Sequence, residues 1–406
     1  MTKILQPKEI LSDLFCYGLD AVNGCFTVEK QLRQTPLNGN IAVVAIGKAA
    51  AAMMLGAQKQ LKDQIQSALI ITKTGHADKA LKWPCVEAGH PIPNEKSLEA
   101  GIKLLEFVEN IPKGTTFLAL VSGGASALVE SLPENVNLEK LQKINKWLLA
   151  SGLEINEMNK VRQSVSLIKA GKIFNHVAIN RMTQFLISDV KNDDIAIIGS
   201  GLFVSNENSY TTLKIPDWLE EYVQPPEPVT NVPVESHIVA SNEKACLAII
   251  EQATKKGYEV TYHGQNLYGD VFKQAESLAK YLCSSKHGVH IWGGEPTLVL
   301  PEKTGRGGRN QSLALALACF LENIKGITVL VGATDGNDGS TDDAGAIIDG
   351  LTLKRGEHLG SAQDYLKTAN AGTFLAETGD LLSTGPTGTN VMDIVIAIKE
   401  PLFAAS

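Results

Sequence analysis

The sequence lacks the features that would place it in several special classes of protein. Its 406 residues are 6% aromatic, 20% charged and 44% hydrophobic, a composition typical of soluble globular proteins. No apolar run approaches the ~18 residues that a membrane-spanning helix needs. The first residues, Met1 to Pro7, lack the apolar core of a signal peptide. The sequence therefore predicts a cytoplasmic protein with no membrane partner.

The sequence also has no excess of positive charge and no closely paired cysteines. The formal net charge is −7, so the overall field does not favour nucleic acid, and an anionic ligand would need a local cluster of positive charge. The six cysteines form no CxxC pair. Most of them lie in apolar helix or strand patterns, and we expect reduced, buried thiols.

Three common motifs are absent at the turns where they would be expected. The turn after residues 41–46 lacks the GxxxxGK[ST] spacing of a P-loop, and residues 305–310 lack the GxGxxG fingerprint of dinucleotide-binding folds. The fingerprint is also absent after residues 116–121. A nucleophile elbow there would need glycine in place of Leu128. The sequence excludes these three ways of building a site.

The length and the proline distribution predict two domains. A chain of 406 residues is long for a single hydrophobic core. Prolines cluster between residues 215 and 233, which indicates an irregular connector. We therefore predict one domain at residues 1–225 and a second at residues 234–406.

Two strand-to-helix turns in the first half are candidates for anion binding. Continuous apolar runs at residues 41–46 and 116–121 predict buried parallel strands. Lys48 follows the first run directly after Gly47, and a lysine there can reach a phosphate bound over the start of a helix. The alternative is a solvated lysine in a loop.

The second run leads into the turn Ser122-Gly123-Gly124-Ala125-Ser126. Its two glycines permit a tight turn, and the hydroxyls of Ser122 and Ser126 can donate to anionic oxygens at a helix start. A plain strand-to-helix turn is the alternative. Asp189 follows a third apolar run near residues 185–187, where a carboxylate can bind Mg²⁺ or accept a proton.

Between these turns, residues 154–173 carry a dense set of polar side chains, including Asn159, Arg162 and Lys169. A solvated helix face explains many of them, although Val161 and its apolar neighbours indicate that one side is buried.

The second half repeats the pattern of polar groups after predicted strands. Strands are predicted at residues 289–292, 298–300 and 327–331, with Glu295 and Asp335 in the segments that follow the first and the third. Arg306 and Arg309 stand among glycines before a helix, where free backbone N–H groups and fixed positive charge suit an anionic ligand. Thr387 lies in a polar loop, where it can contact a phosphate or stabilise a turn.

Together these motifs resemble the glycerate 2-kinase family whose C-terminal half is the MOFRL domain. The matching stretches occur in the family's order over nearly the whole chain. They are Gly47-Lys48-Ala49, His90-Pro91-Ile92-Pro93, residues 122–128, residues 155–162, Ser188-Asp189-Val190, Gly293-Gly294-Glu295, residues 305–311, residues 334–339 and residues 384–393.

The resemblance implies an α/β fold of two domains with the active site in the interdomain cleft. The N-terminal domain is a Rossmann-like parallel sheet flanked by helices, and the C-terminal domain is the α/β MOFRL domain. The implied reaction is ATP- and Mg²⁺-dependent phosphorylation of D-glycerate, a small-molecule partner, to 2-phosphoglycerate.

The resemblance also implies site residues. Lys48, Asp189 and Arg309 are expected to be catalytic. The nucleotide is expected at Ser122, Gly123, Gly124, Ser126 and Thr387. Asp189, Glu295 and Asp335 are the metal candidates, which is more than the one or two carboxylates that Mg²⁺ usually needs.

Four positions depart from the family pattern. Ala170 and Asn192 replace glycines, Leu202 replaces a proline, and Ala371 replaces an aspartate. Asparagine tolerates a left-handed backbone, so Asn192 is compatible with the glycine conformation. Two alternatives stay open: an NAD(P)H-dependent hydroxypyruvate reductase, and a ligand-binding relative without catalysis.

Overall fold

The computed structural model describes residues 6–153, 155–204, 215–225 and 227–401. The chain divides into two compact α/β units, as predicted. The N-terminal unit is Gly24–Ala240, and the C-terminal unit combines Met1–Asn23 with Ser241–Ser406. In the ranges just given, no helix is both long and apolar enough to cross a membrane.

The N-terminal unit is built on a six-stranded sheet in the order β3-β2-β1-β4-β5-β6, in which every neighbouring pair is parallel. The strands are β1 Ile41–Ile46, β2 Ile65–Lys73, β3 Cys85–Ala88, β4 Thr116–Val121, β5 Met182–Ile187 and β6 Val234–Ala240. Strands β1 and β4 have the predicted bounds, because an unbroken apolar run is what a strand covered on both faces requires. The strand order reverses between β1 and β4, and sheets of this order bind ligands at that point.

Helices cover the sheet of the N-terminal unit. They are α2 Gly24–Gln34, α3 Ala50–Leu61, α4 Glu95–Glu109, α5 Ala125–Leu128, α6 Leu138–Ala150, α7 Ile155–Ser164 and α8 Asp217–Glu220. The predicted connector around residues 215–233 contains α8, whose Leu219 is fully buried beside Ile144, Leu148 and Val161. This part of the connector therefore packs onto α6 and α7 as part of the unit.

The C-terminal unit is built on a mixed sheet in the order β12-β11-β10-β13-β9-β7, with β8 paired to β9. Strands β7 and β8 run parallel to β9, and the other pairs are antiparallel. The strands are β7 Val260–Tyr262, β8 Leu267–Asp270, β9 Gly288–Thr297, β10 Ile327–Ala333, β11 Gly345–Asp349, β12 Leu381–Leu382 and β13 Asp393–Lys399. The helices are α1 Pro7–Ala21, α9 Asn242–Lys255, α10 Val271–Ser284, α11 Arg309–Phe320, α12 Thr352–Arg355, α13 Ala362–Lys367 and α14 Ala371–Glu377.

The predicted strand at residues 298–300 is wrong. Strand β9 continues through Gly293, Gly294 and Glu295 to Thr297, because these residues pair with β13 and β8. The apolar residues that follow lie outside the sheet, and Val299 is 84% exposed. The end of β9 is determined by its pairing with β13 and β8, which are distant in sequence. The glycines at residues 293 and 294 therefore do not mark the end of the strand, as the local pattern had indicated.

The two compact units differ from the two predicted ranges at α1 and β6. Helix α1 buries Leu11, Leu14 and Phe15 and packs against α9 and β10 of the C-terminal unit. A Cβ atom on Gly332 of β10 would lie 2.8 Å from the Phe15 ring, so glycine lets the helix approach the strand. Strand β6 extends the parallel sheet of the N-terminal unit beside β5.

The prediction that the cysteines are buried is correct for only some of them. All six are free thiols; Cys246 is buried, whereas Cys16 and Cys283 are exposed. Cys16 lies on α1 and Cys283 on α10, and neither is among the residues that these helices bury. The general apolar pattern therefore predicted the helices correctly but not the burial of each thiol.

Candidate functional site

The turns after β1 and β4 lie side by side in the N-terminal unit. Ile46 and Val121 are partners in the parallel register, so Lys48 and Ser122 follow neighbouring strand ends. The backbone N–H of Lys48 donates to the Gly123 carbonyl at 2.9 Å. The N–H of Ala49 donates to the Ser122 hydroxyl at 3.1 Å. Ser122 is fully buried, and its hydroxyl fastens the two turns together.

Glycine is required where the two turns meet. Gly47 has a φ of 129°, and a Cβ atom there would lie 2.1 Å from the Ser122 hydroxyl oxygen. At Gly124 a Cβ atom would lie 3.2 Å from Cγ of Lys48 and 3.0 Å from Cδ2 of His90. The lysine stem and the histidine ring therefore pass over a bare backbone, as an anion-binding turn needs.

A hydrogen-bond network continues from Ser126 toward α7. The hydroxyls of Ser126 and Ser200 lie 2.6 Å apart. Ser200 in turn donates to the Asn159 side-chain carbonyl at 3.1 Å. Hydrogen bonds therefore connect the turn that contains Gly124 and Ser126 to the buried Asn159 on α7.

Asp189 lies at the same edge of this sheet, after β5 and beside β4. Its neighbour Ser188 is fixed by donating its N–H to the Ala240 carbonyl at 2.9 Å. Asp193, on the same loop, has a buried carboxylate oxygen with no hydrogen-bond donor in the part of the chain that the structure describes. A buried carboxylate oxygen without a donor suits a hard cation such as Mg²⁺.

In the C-terminal unit the structure brings Arg309 and Glu295 together. Arg309 donates to both carboxylate oxygens of Asp393, at 2.5 Å from Nε and 3.1 Å from Nη2. Its Nη1 lies 2.9 Å from Glu295 Oε1. Burial lowers the pKa of Arg309, but these two carboxylates outweigh burial and raise it above its usual value. Two carboxylates of the protein therefore already pair with this arginine.

The expectation of free backbone N–H groups at the start of α11 is wrong for its second and third residues. The N–H groups of Asn310 and Gln311 donate to Asp338 at 3.0 Å and 2.7 Å. Arg306, the other arginine of this glycine-rich segment, lies 2.7 Å from Asp343. Carboxylates of the protein itself thus occupy positions that the sequence suggested for an anionic ligand.

Asp338, which accepts the hydrogen bonds at the start of α11, makes the stability of the folded protein depend on pH. Burial raises the pKa of Asp338 to about 7, although its two backbone donors oppose the shift. An unfolded aspartate has a pKa of about 3.9, so between about pH 4 and pH 7 the folded protein binds one more proton here than the unfolded chain. This contribution to stability is present at low pH and is lost as the pH rises through the folded pKa.

We expect Asp338→Asn to flatten the pH dependence of unfolding between pH 5 and pH 7, because the amide cannot titrate. The slope of the free energy of unfolding should change by at most about 1.4 kcal/mol per pH unit, the effect of one proton. Urea unfolding at several pH values measures it, with the exposed Asp342→Asn as the control. Parallel curves for the wild type and Asp338→Asn would contradict the assignment.

Thr387 and Asp335 lie on two loops in close contact. The Thr387 hydroxyl donates to the Thr334 carbonyl at 2.6 Å, which corresponds to the turn-stabilising alternative. Asp335 Oδ1 accepts from the Asn337 N–H at 3.2 Å. Among the described residues, no three His, Cys, Asp or Glu side chains come together as a metal site.

A buried ion pair in the N-terminal unit was not predicted from the sequence pattern. Glu130 and Lys169 are 2% and 1% exposed, and the lysine Nζ donates to the carboxylate. Ser166 donates to the other carboxylate oxygen at 2.5 Å. The interpretation of residues 154–173 as largely solvated is therefore wrong for Asn159, Ser166 and Lys169, which are buried.

The fold and these clusters define a two-domain α/β protein whose parallel sheet carries charged and glycine-rich turns at its switch point. The chain belongs to the glycerate 2-kinase family with a MOFRL domain. Residues 10–232 match the family described as "Domain of unknown function (DUF4147)", and residues 288–393 match the MOFRL family.

Relatives with established names cover nearly the whole chain. The D-glycerate 2-kinase of Thermotoga maritima is 33% identical, over 96% of this chain and 98% of its own length. The glycerate 2-kinase of Pyrococcus horikoshii is 32% identical, over 91% of this chain and 89% of its own. The crystal structure of a glycerate kinase from Thermotoga maritima matches with a TM-score of 0.85 at 31% identity, covering 97% of this chain and 99% of that one.

Proposed function

We propose that the protein phosphorylates the 2-hydroxyl group of D-glycerate with ATP and Mg²⁺. The observation that carries the proposal is the placement of Lys48, Gly124 and Asp189 at one edge of the parallel sheet, around the point where the strand order reverses. Similarity to D-glycerate 2-kinase over nearly the full length supports the same reaction.

In the proposed reaction, the oxygen of the substrate 2-hydroxyl forms a bond to the γ-phosphorus of ATP. The bond from that phosphorus to the bridging oxygen breaks, and ADP leaves. Asp189 accepts the hydroxyl proton. Lys48 stabilises the negative charge on the transferred phosphoryl group, because phosphoryl transfer depends mainly on positioning and charge neutralisation.

The loop after β5 has residues that fit a magnesium ion. Asp193 presents a buried carboxylate oxygen that lacks a donor among the described residues, and Mg²⁺ needs only one or two carboxylates besides the substrate phosphates. When bound, the ion would neutralise charge on the phosphates. Of the earlier metal candidates, Glu295 pairs with Arg309, so we place the ion near Asp193 and Asp189.

The reductase alternative has less support from the residues. The turns after β1 and β4, where a dinucleotide would bind in this strand order, contain Gly47-Lys48-Ala49 and Ser122-Gly123-Gly124 and no GxGxxG fingerprint.

We expect the purified protein with Mg²⁺, ATP and D-glycerate to produce 2-phosphoglycerate, because the proposed site transfers the phosphoryl group to the 2-hydroxyl. Phosphorus NMR of the product distinguishes this from 3-phosphoglycerate. Asp189→Asn, which cannot accept the proton, serves as the matched variant. Exclusive formation of the 3-phosphate would contradict the regiochemistry. Oxidation of NADH by hydroxypyruvate, without any kinase activity, would favour the reductase.

A further inference from the structure

Positive charge exceeds negative charge around the buried Glu130. The side chains of Arg162, Lys169 and Lys172 all interact electrostatically with this carboxylate. Lys169 donates to it directly, so one lysine already balances the single buried negative charge. The other two cations need partners elsewhere.

Lys172 has such partners, whereas Arg162 has only a neutral one among the residues that the structure describes. Lys172 Nζ donates to the backbone carbonyls of Gln163 and Ser166, at 2.9 Å and 2.6 Å, and Glu227 also acts on it. Arg162 makes one long hydrogen bond, 3.4 Å from Nη1 to the Asn159 side-chain carbonyl. In the described ranges, no carboxylate lies within ion-pair distance of its guanidinium.

The charge on Arg162 is costly where it lies. The side chain is half-buried on α7, and burial lowers the pKa of its guanidinium although Glu130 opposes the shift. A partly desolvated cation without an anionic partner at ion-pair distance is unfavourable unless a ligand anion completes its coordination. The guanidinium fork matches a carboxylate, which it can bind through two parallel hydrogen bonds.

Arg162 is also linked to the proposed active site by hydrogen bonds. Its partner Asn159 accepts from Ser200, and Ser200 contacts Ser126. Ser126 lies two residues after Gly124, over which the Lys48 stem passes. The arginine is therefore connected through three hydrogen bonds to the turn where phosphoryl transfer is proposed.

We propose that Arg162 binds the carboxylate of the substrate and thereby selects a 2-hydroxy acid over a neutral polyol. The inference rests on the proposed function and names a residue that determines its specificity. A single cation that is hydrogen-bonded to the neutral amide of Asn159, and has no carboxylate within ion-pair distance among the described residues, matches the single negative charge of glycerate. The several charges of the nucleotide phosphates are left to Lys48.

Steady-state kinetics of Arg162→Gln test the proposal. We expect the KM for D-glycerate to rise by about 10²-fold, the scale for removing one partner of a hydrogen-bonded charge pair, while the KM for ATP stays near the wild-type value. Arg162→Lys should recover only part of the loss, because a point charge replaces the fork. Lys146→Gln, which removes one exposed positive charge from α6, should behave like the wild type.

Glyceramide, in which a neutral amide replaces the carboxylate, gives a second measurement. The wild type should prefer glycerate over glyceramide, and Arg162→Gln should lose most of that preference without losing activity on glyceramide. A rise in the KM for ATP alone, or an unchanged preference for glycerate, would overturn the proposal. Thermal melts show whether the variant is folded, and added ethylguanidinium should restore glycerate use by Arg162→Gly.

Calorimetric titration separates this inference from the proposed function. If the wild type makes no phosphoglycerate, the proposed function fails. Binding of glycerate to the wild type but not to Arg162→Gln would still support the role of Arg162. Equal binding to both proteins, or binding to neither, would overturn it.

Discussion

Replacing Lys48 with alanine should lower kcat by roughly 10²–10³, the scale for the loss of one preorganised electrostatic donor. The backbone around this lysine is fixed at both ends, since Gly47 donates to the Ile71 carbonyl and Lys48 donates to the Gly123 carbonyl. The backbone position from which the lysine side chain extends is therefore set before the substrate arrives. The half-exposed side chain leaves no cavity in the core when it is removed, so the fold should survive.

Steady-state kinetics and a thermal melt of Lys48→Ala provide the measurement. Lys113→Ala is the matched control, because Lys113 is an exposed lysine just before the amino end of β4. Lys48→Arg should not restore full activity, since a planar fork replaces a compact charge. A rise only in the KM for ATP would assign Lys48 to ground-state binding. A normal kcat/KM for both substrates would support the alternative of a solvated lysine.

Replacing Lys169 with methionine should lower the free energy of unfolding by about 3–5 kcal/mol, the range for breaking a buried ion pair. Among the described residues, the variant leaves the buried Glu130 carboxylate with the Ser166 hydroxyl and the Ser131 N–H as its only donors. Chemical denaturation of the wild type and the variant measures the loss.

Two further variants make this result specific. In the Glu130→Gln, Lys169→Met double variant the uncompensated charge is removed, and most of the lost stability should return. Lys103→Met breaks an exposed pair with Glu99 and should cost less than about 1 kcal/mol. A loss for Lys169→Met as small as that for Lys103→Met would show that the buried pair contributes little.

The parallel sheet and the turns after its strands could be predicted from the sequence. The runs at residues 41–46 and 116–121 are apolar on both faces, which only a covered strand accommodates. Since parallel strands end at the same edge, polar residues after them come together, as Lys48 and Ser122 do. Local pattern therefore predicted one half of the candidate site.

The charged pairs could not be predicted in the same way. Arg309 and Asp393 are 84 residues apart in the sequence, and Arg306 and Asp343 are 37 residues apart. No local motif pairs residues at these separations. Glycines around Arg309 look the same in the sequence whether the arginine binds a ligand or a carboxylate. Only the register of β9 and β13 shows that Asp393 and Gly294 are neighbours.

At two of the positions that depart from the family pattern, the backbone conformation is one that glycine adopts easily. Ala170 and Asn192 have φ values of 55° and 63°, which lie in the left-handed region that favours glycine. The prediction that Asn192 tolerates this conformation is confirmed. Ala371 is fully buried at the start of α14, so an apolar side chain is compatible with its surroundings.

Helix α1 is synthesised long before the elements against which it packs. The ribosome releases this helix before the entire N-terminal unit, yet its partners α9 and β10 are synthesised after that unit. All six strands of the N-terminal sheet can pair while translation continues. Leu11, Leu14 and Phe15 stay exposed to water until the rest of the C-terminal core has been synthesised. During that interval the nascent chain exposes an apolar helix face, the kind of surface that chaperones bind and that promotes aggregation.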